Sequence, residues 1–193
     1  MRIEGYVIVS ADGMLATADR VMPETLKFEG DQRFFNDALD RADLIVHGRH
    51  SYEDQPNSPR RRRIVLSRTI ATVAPDPDNP NATLWNPAGA PFARACAQAG
   101  VETGTAAVIG GPVVFAMFLD RYDTFWLSRA PRVTIPGGLG VFPGVPARSP
   151  EEILSGAGLA PRERQVLDET AGVTVTAWRR VGPATPRSDQ VSE

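Results

Sequence analysis

The chain has 193 residues and a mass of 20.9 kDa, room for one domain of ordinary size. Its 42% hydrophobic and 23% charged residues exclude wholesale disorder, and 17 glycines with 17 prolines argue for long loops around a compact core instead of a helical bundle. A formal net charge of −2 gives no electrostatic footprint for nucleic acid, and one cysteine with two histidines excludes an intramolecular disulfide and any Cys-rich or His-rich metal site.

The start, MRIEGYVIVSADG, lacks the basic head and long apolar core of a secretory signal. No run reaches the roughly 18 apolar residues of a membrane span. A soluble, cytoplasmic protein is expected.

Ile3 to Ser10 is short, β-branched and closed by Asp12-Gly13, so it predicts a buried strand. Met14 to Gly30 lacks periodicity and reads as a long loop. Phe34, Phe35, Ala38 and Leu39 then form one apolar helical stripe, with Asp31 leading the helix at the positive end of its dipole. Leu44 to His47 and Arg63 to Ser67 predict two more strands. Residues 71–87 read as surface loop with one short strand near Leu84-Trp85. Pro91 to Gln98 predicts a helix stopped by Gly100, and Ala106 to Ile109 a strand. Val113 to Leu119 predicts an apolar helix, and Thr124 to Ser128 a strand. Residues 131–150 read as Pro/Gly-rich loop. Val173 to Trp178 alternates, as a half-exposed antiparallel strand does, and 182–193 reads as a disordered tail after a single domain over 1–181.

Strands alternate with helices, and the early strands are continuous apolar runs. That predicts an α/β sandwich with a mostly parallel sheet, helices on both faces and an antiparallel edge at the C-terminal end. Ligands of such sheets bind beyond the carboxyl ends of the strands.

Three constellations sit there. Ile109-Gly110-Gly111, followed by Pro112 at a helix start, brings backbone N–H groups close to an anionic group, or is simply a tight strand-to-helix turn. Gly48-Arg49-His50-Ser51-Tyr52 and Ser67-Arg68-Thr69 each offer basic and hydroxyl groups suited to clamping a phosphate, or are solvated loop charge. Asp31, beside Phe34 and Phe35, is either a carboxyl whose pKa burial raises or a helix-leading acid in water. Arg60 to Arg63 has no interleaved aromatics, so a surface cluster or a site for an anionic part of a small substrate outweighs nucleic acid.

Taken in order, Ser10-Ala11-Asp12-Gly13, the Asp31 helix, LIVHGRHSYE, RRRIVLSRT, AVIGGPVVFAMFLD and FWLSRAP resemble the dihydrofolate reductase superfamily, which includes the reductase domain of riboflavin-biosynthesis deaminase–reductases. The resemblance runs from about Ile3 to Gly144. It implies a mainly parallel twisted sheet of about eight strands, NADPH across the strands' carboxyl ends, and hydride transfer to a C=N carbon of a pyrimidine- or pteridine-like substrate. It implies catalytic roles for Asp31, which holds the heterocycle, and Ser128, which supports that acid. Cofactor contacts are implied for Leu15 and Ala16 of a mobile loop, for Gly48, Arg49, His50 and Ser51, for Leu66, Ser67 and Arg68, and for Ile109, Gly110, Gly111, Pro112, Val113 and Val114, with a cis peptide between the two glycines. Substrate contacts are implied for Val7, Ile8, Phe34 and Phe35, and for Arg61, near an arginine that in the family grips the glutamate tail of folate.

Met22-Pro23 is followed by Glu24, not by the tryptophan usual in dihydrofolate reductases, and Phe115 replaces a tyrosine. The Ser-x-Asp-Gly turn and Glu29-Gly30-Asp31 are closer to the riboflavin-type branch, which is expected ahead of a true dihydrofolate reductase. A non-catalytic NADPH-binding module is the remaining alternative. The riboflavin branch implies a homodimer and the folate branch a monomer. No deaminase segment is expected, because the His-x-Glu…Pro-Cys-x-x-Cys zinc signature is absent.

Overall fold

The computed structural model describes residues 1–51 and 53–182. Tyr52 and the tail from 183, expected to be disordered, lie outside the described residues.

The elements run β1 (Arg2–Ser10), β2 (Met14–Ala16), a 3-10 turn (Glu24–Leu26), α1 (Glu29–Arg41), β3 (Leu44–Gly48), a second 3-10 turn (Ser58–Arg60), β4 (Arg63–Leu66), β5 (Val73–Pro75) and β6 (Ala82–Trp85). There follow α2 (Phe92–Gln98), β7 (Thr105–Gly110), α3 (Pro112–Met117), β8 (Thr124–Ala130), β9 (Leu139–Gly140), α4 (Pro150–Gly156), β10 (Leu159–Asp168) and β11 (Val173–Arg180). Nine strands form one sheet in the order β10-β11-β8-β1-β7-β3-β4-β6-β5, and β2 pairs with β9 in a small second sheet.

The central strands β8, β1, β7, β3, β4 and β6 are parallel, while β10, β11 and β5 add antiparallel pairs at the two ends. The continuous apolar runs explain this arrangement: β3 and β7 are covered on both faces and need no polar alternation. On one face, Tyr6, Ile45 and Ala107 pack under Ala38 and Leu39 of α1. The other face carries the larger cluster, in which Phe92, Phe115, Phe118 and Leu154 bring in α2, α3 and α4.

Several expectations are corrected. The segment read as a loop from Met14 to Gly30 contains β2, a 3-10 turn and the start of α1. β11 is not half-exposed: it lies inside the sheet between β10 and β8, and Val173, Val175 and Ala177 are buried. The strand at the edge is β10, which escaped notice because its middle, Arg162-Glu163-Arg164-Gln165, is polar and exposed. α4 was also unforeseen, although Ser149 and Glu152 form a complete capping box around Pro150.

One feature of register opens the molecule. β1 and β7 pair only as far as Gly5↔Val108, yet β1 continues to Ser10 alongside β8. Past Val108 the two strands separate, and a cleft forms between Val7–Ile8 on one side and Ile109–Gly111 on the other.

Candidate active site

The cleft has a volume of about 690 Å³, within the range of small-molecule and cofactor sites. β1 lines it with Tyr6, Val7 and Ile8, β2 with Leu15 and Ala16, and α1 with Asp31, Gln32, Phe34 and Phe35. His50 and Ser51 follow β3, Ile109 and Gly111 come from β7 and the turn after it, and Trp126 and Ser128 come from β8.

Asp31 falls at i−3 and i−4 from Phe34 and Phe35, so it opens the same helical stripe that buries Ala38 and Leu39. Helical periodicity therefore turns this carboxyl inward, where it is 8% exposed. Burial pushes its pKa up to about 6, and a hydrogen bond from the Ser128 hydroxyl opposes part of that rise. Ser128 is itself buried, and it is in register with Ile8 on β1.

An aromatic wall stands beside this acid. The Tyr6 and Trp126 rings stack at 6.4 Å, and Phe34 meets Trp126 edge-on at 5.5 Å. Their polar ends are satisfied away from the cleft, since the Tyr6 hydroxyl and the Trp126 indole N–H both donate to Glu4 Oε2, at 2.5 and 2.9 Å. Burial and the Glu4 carboxylate raise the Tyr6 pKa, so it is no proton donor near neutrality. Tyr6 and Trp126 were not anticipated. The available signal was period two, because each lies two residues before an anticipated site residue, Ile8 and Ser128.

Leu15 and Ala16 are held in place, not left in a free loop. Met14 pairs with Gly140 and Ala16 with Leu139. The Ser10 hydroxyl accepts from the Met14 N–H at 3.0 Å, and the Asp12 carboxylate accepts from the Ile135 N–H at 3.1 Å.

On the far side, the Gly110–Gly111 peptide is cis and Gly110 has φ +110°. A Cβ on Gly111 would come 3.2 Å from Ser51 Oγ, and one on Gly48 would lie 3.4 Å from Val114 Cγ2 and 3.7 Å from the Gly111 nitrogen. Small residues at these positions leave the ends of β3 and β7 open to a ligand. β3 and β4 are in register at Gly48↔Leu66, so Arg49 and Ser67 each follow the carboxyl end of one of two neighbouring strands. Arg49 and Arg68 are exposed and Ser67 is buried, its hydroxyl 2.8 Å from that of Thr69. Pro112 begins α3, Val113 faces solvent, and the Val114 side chain is in the core, so it presents no side chain to a ligand.

Arg61 is drawn away from the cleft. The Arg60–Arg63 run alternates on its way from the 3-10 turn into β4: Arg60 and Arg62 are exposed, and Arg61 and Arg63 turn inward. Arg61 contacts Asp40 at 2.5 Å, Asn36 at 2.7 Å and Glu53 at 2.8 Å, and it is missing from the cleft lining.

No group of His, Cys, Asp and Glu suited to a metal ion occurs among the described residues, and no helix among them is long and apolar enough to cross a membrane.

No protein-family model and no curated protein matches the sequence. Solved structures do match. A diaminohydroxyphosphoribosylaminopyrimidine deaminase/5-amino-6-(5-phosphoribosylamino)uracil reductase from Thermotoga maritima is similar at 13% identity and TM-score 0.64, with 93% of this chain matched. The chain spans 56% of the length of that protein. A protein described as belonging to riboflavin biosynthesis, from Shewanella sp. PV-4, is similar at 19% identity and TM-score 0.63, over 94% of this chain and 100% of its own. Dihydrofolate reductase from Enterococcus faecalis, solved in complex with NADP(H), is similar at 16% identity and TM-score 0.63, over 93% of this chain and 96% of its own. The chain has a dihydrofolate reductase-like α/β fold.

Proposed function

We propose that this chain is an NADPH-dependent reductase that transfers a hydride to the electron-poor C=N carbon of a pyrimidine- or pteridine-like heterocycle. The observation that carries the reading is the pairing, across one cleft, of a buried carboxyl with a diglycine turn: Asp31, with its pKa near 6, on one wall and Gly111 with Ser51 on the other. The Asp31 carboxyl and its Ser128 partner suit an amidine-like N–H pair, and the Tyr6–Phe34–Trp126 wall suits a flat ring.

The residues at the ends of β3, β4 and β7 fit the cofactor. Gly48 and Gly111 permit close backbone approach, His50 and Ser51 line the cleft, and Arg49 and Arg68 offer cations for a ribose 2′-phosphate at the exposed edge. NADPH, when bound, supplies the hydride. Asp31 holds the heterocycle and favours its protonated, electrophilic form, and Ser128 orients Asp31. Leu15, Ala16, Ile8 and Ile109 exclude water from the reacting face.

Within this class, the riboflavin-type reaction on 5-amino-6-(5-phosphoribosylamino)uracil is placed ahead of dihydrofolate reduction, because Glu24 follows Met22-Pro23 where dihydrofolate reductases carry tryptophan. The test is NADPH oxidation by the purified protein with each substrate. Turnover with the ribosylaminopyrimidine and little with dihydrofolate is expected. Ordinary enzymatic rates with dihydrofolate would reverse the order, and no oxidation with any such heterocycle would end the proposal in favour of a binding module. A cytoplasmic homodimer belongs to the same proposal, and sedimentation of the purified protein tests its assembly.

A further inference from the structure

The Arg60–Arg63 run, the largest charge feature of the sequence, is not absorbed by the reductase reading. Two of its guanidinium groups lie behind one wall of the cleft, and a single carboxylate stands between them and the ligand space. Glu53 Oε2 is 2.8 Å from Arg61 Nη1, and Glu53 Oε1 is 3.0 Å from Arg63 Nη2. All three side chains are at least nine-tenths buried, yet only Glu53 lines the cleft, followed by Asp54 and Gln55.

The loop that carries the carboxylate is tied down through its main chain. The Ser58 hydroxyl donates to the Glu53 carbonyl at 2.7 Å, and Arg63 Nη2 donates to the Ser58 carbonyl at 2.7 Å. Burial disfavours the Glu53 anion, but Ser58, Arg63 and Arg61 outweigh it and hold the pKa below the usual carboxylate range. Behind Arg63 the His47 ring is neutral, with Nε2 facing Arg63 Nη1 at 3.4 Å, so it adds no third cation. Arg61 reaches on to Asn36 and Asp40 of α1. At 1.5 Å per residue these lie roughly 8 and 14 Å along the helix from Asp31. That is the length of a bicyclic ring and its first substituent.

We propose that Glu53 is a specificity-determining residue that keeps Arg61 and Arg63 paired inside the wall, so that the end of the cleft beyond the heterocycle accepts an uncharged substituent and rejects a carboxylate or phosphate. This deepens the proposed function and rests on it, since it takes Asp31 to hold the ring. Three other basic side chains do line the cleft. Arg20 and Lys27 line it from the segment before α1, and His50 from the loop after β3. A phosphate on the substrate therefore has cations to meet in the cleft other than Arg61 and Arg63.

The test compares two probes that differ in one group, 6-hydroxymethylpterin and pterin-6-carboxylate, by quenching of tryptophan fluorescence, with Trp126→Phe as the control that assigns the signal to the cleft. Wild type is expected to bind the hydroxymethyl compound more tightly. Glu53→Gln removes the negative charge paired with both guanidinium groups, in which Arg61 Nε, Arg61 Nη1 and Arg63 Nε already lack hydrogen-bond acceptors among the described residues. It is expected to shift the ratio toward the carboxylate by about tenfold or more. Equal or tighter binding of the carboxylate by wild type, or an unchanged ratio in the variant, overturns the proposal.

Removing one partner of a buried ion pair is costly. The charge-balanced Glu53→Gln/Arg61→Met variant is therefore measured alongside, with a smaller shift in the same direction expected. If neither probe quenches wild type, the heterocycle reading fails, and the shielding is decided separately by phenylglyoxal labelling. Arg61 and Arg63 unlabelled in wild type and labelled in Glu53→Gln support the shield. Labelling of both in wild type as fast as the exposed Arg62 overturns it.

Discussion

The hydroxyl of Ser128, on β8, faces the carboxyl of Asp31, on α1, across the join of sheet and helix. It pulls the Asp31 pKa down while burial pushes it up. Ser128→Ala removes the opposing influence, so the Asp31 pKa rises further. If Asp31 favours the protonated substrate, the pH profile of kcat/KM in wild type has an inflection near 6. The Ser128→Ala profile is expected to move to higher pH, and a profile that stays in place or moves down contradicts the assignment.

Asp31 and His47 make opposite contributions to the pH dependence of stability. The Asp31 pKa is raised from 3.8 to about 6, so on raising pH the unfolded chain loses its proton first and stability falls across that window. Burial lowers the His47 pKa from 6.5 to about 4, so on lowering pH the unfolded chain gains a proton first and stability falls across nearly the same window. Each effect is worth about 3 kcal/mol, and the two oppose each other. Measured by urea melts against wild type, Asp31→Asn should gain about 3 kcal/mol between about pH 4 and pH 7, and His47→Gln should lose about as much over the same interval. Differences that do not change with pH would show that neither group titrates abnormally in the folded protein.

Gly110 has φ +110°, a conformation that side-chain-bearing residues rarely adopt, and a Cβ there would come 3.0 Å from the Phe115 ring. Gly110→Ala should destabilise the fold by about 1–3 kcal/mol and weaken NADPH binding. A chemical melt and a cofactor titration check the two effects separately. Wild-type values for both would mean that the turn is not constrained as described.

At Gly30 the constraint is close approach. A Cβ there would stand 1.9 Å from the carbonyl oxygen of Leu167, where β10 passes over the first turn of α1. Gly30→Ala forces the helix carrying Asp31 away from the strand. A loss of about 1–3 kcal/mol is expected, with hydrogen exchange accelerated in the first turn of α1 and in β10. An unchanged exchange pattern would show that the contact does not fix the helix.

The periodicities in the sequence determined the central strands of the sheet and the buried face of α1. The apolar runs at Ile3–Ser10, Leu44–His47 and Ala106–Ile109 marked β1, β3 and β7, because a strand covered on both faces must be apolar throughout. The stripe at Phe34, Phe35, Ala38 and Leu39 marked the inner face of α1, and extending it one turn back reaches Asp31. The diglycine was visible because a strand-to-helix turn needs residues without side chains. Only the tertiary structure decided where partners from distant segments meet. The cleft exists because β1 and β7 part after Gly5↔Val108, a matter of register that no local pattern encodes. β10 was invisible because its middle faces water, so burial imposed no apolar pattern on it. Arg61 looked like a ligand for an anion for as long as its chain neighbours were the only evidence. The counter-charges that claim it, the exposed Asp40 at 2.5 Å and the buried Glu53 at 2.8 Å, come from α1 and from the loop after β3, and the order of residues does not reveal that they meet it.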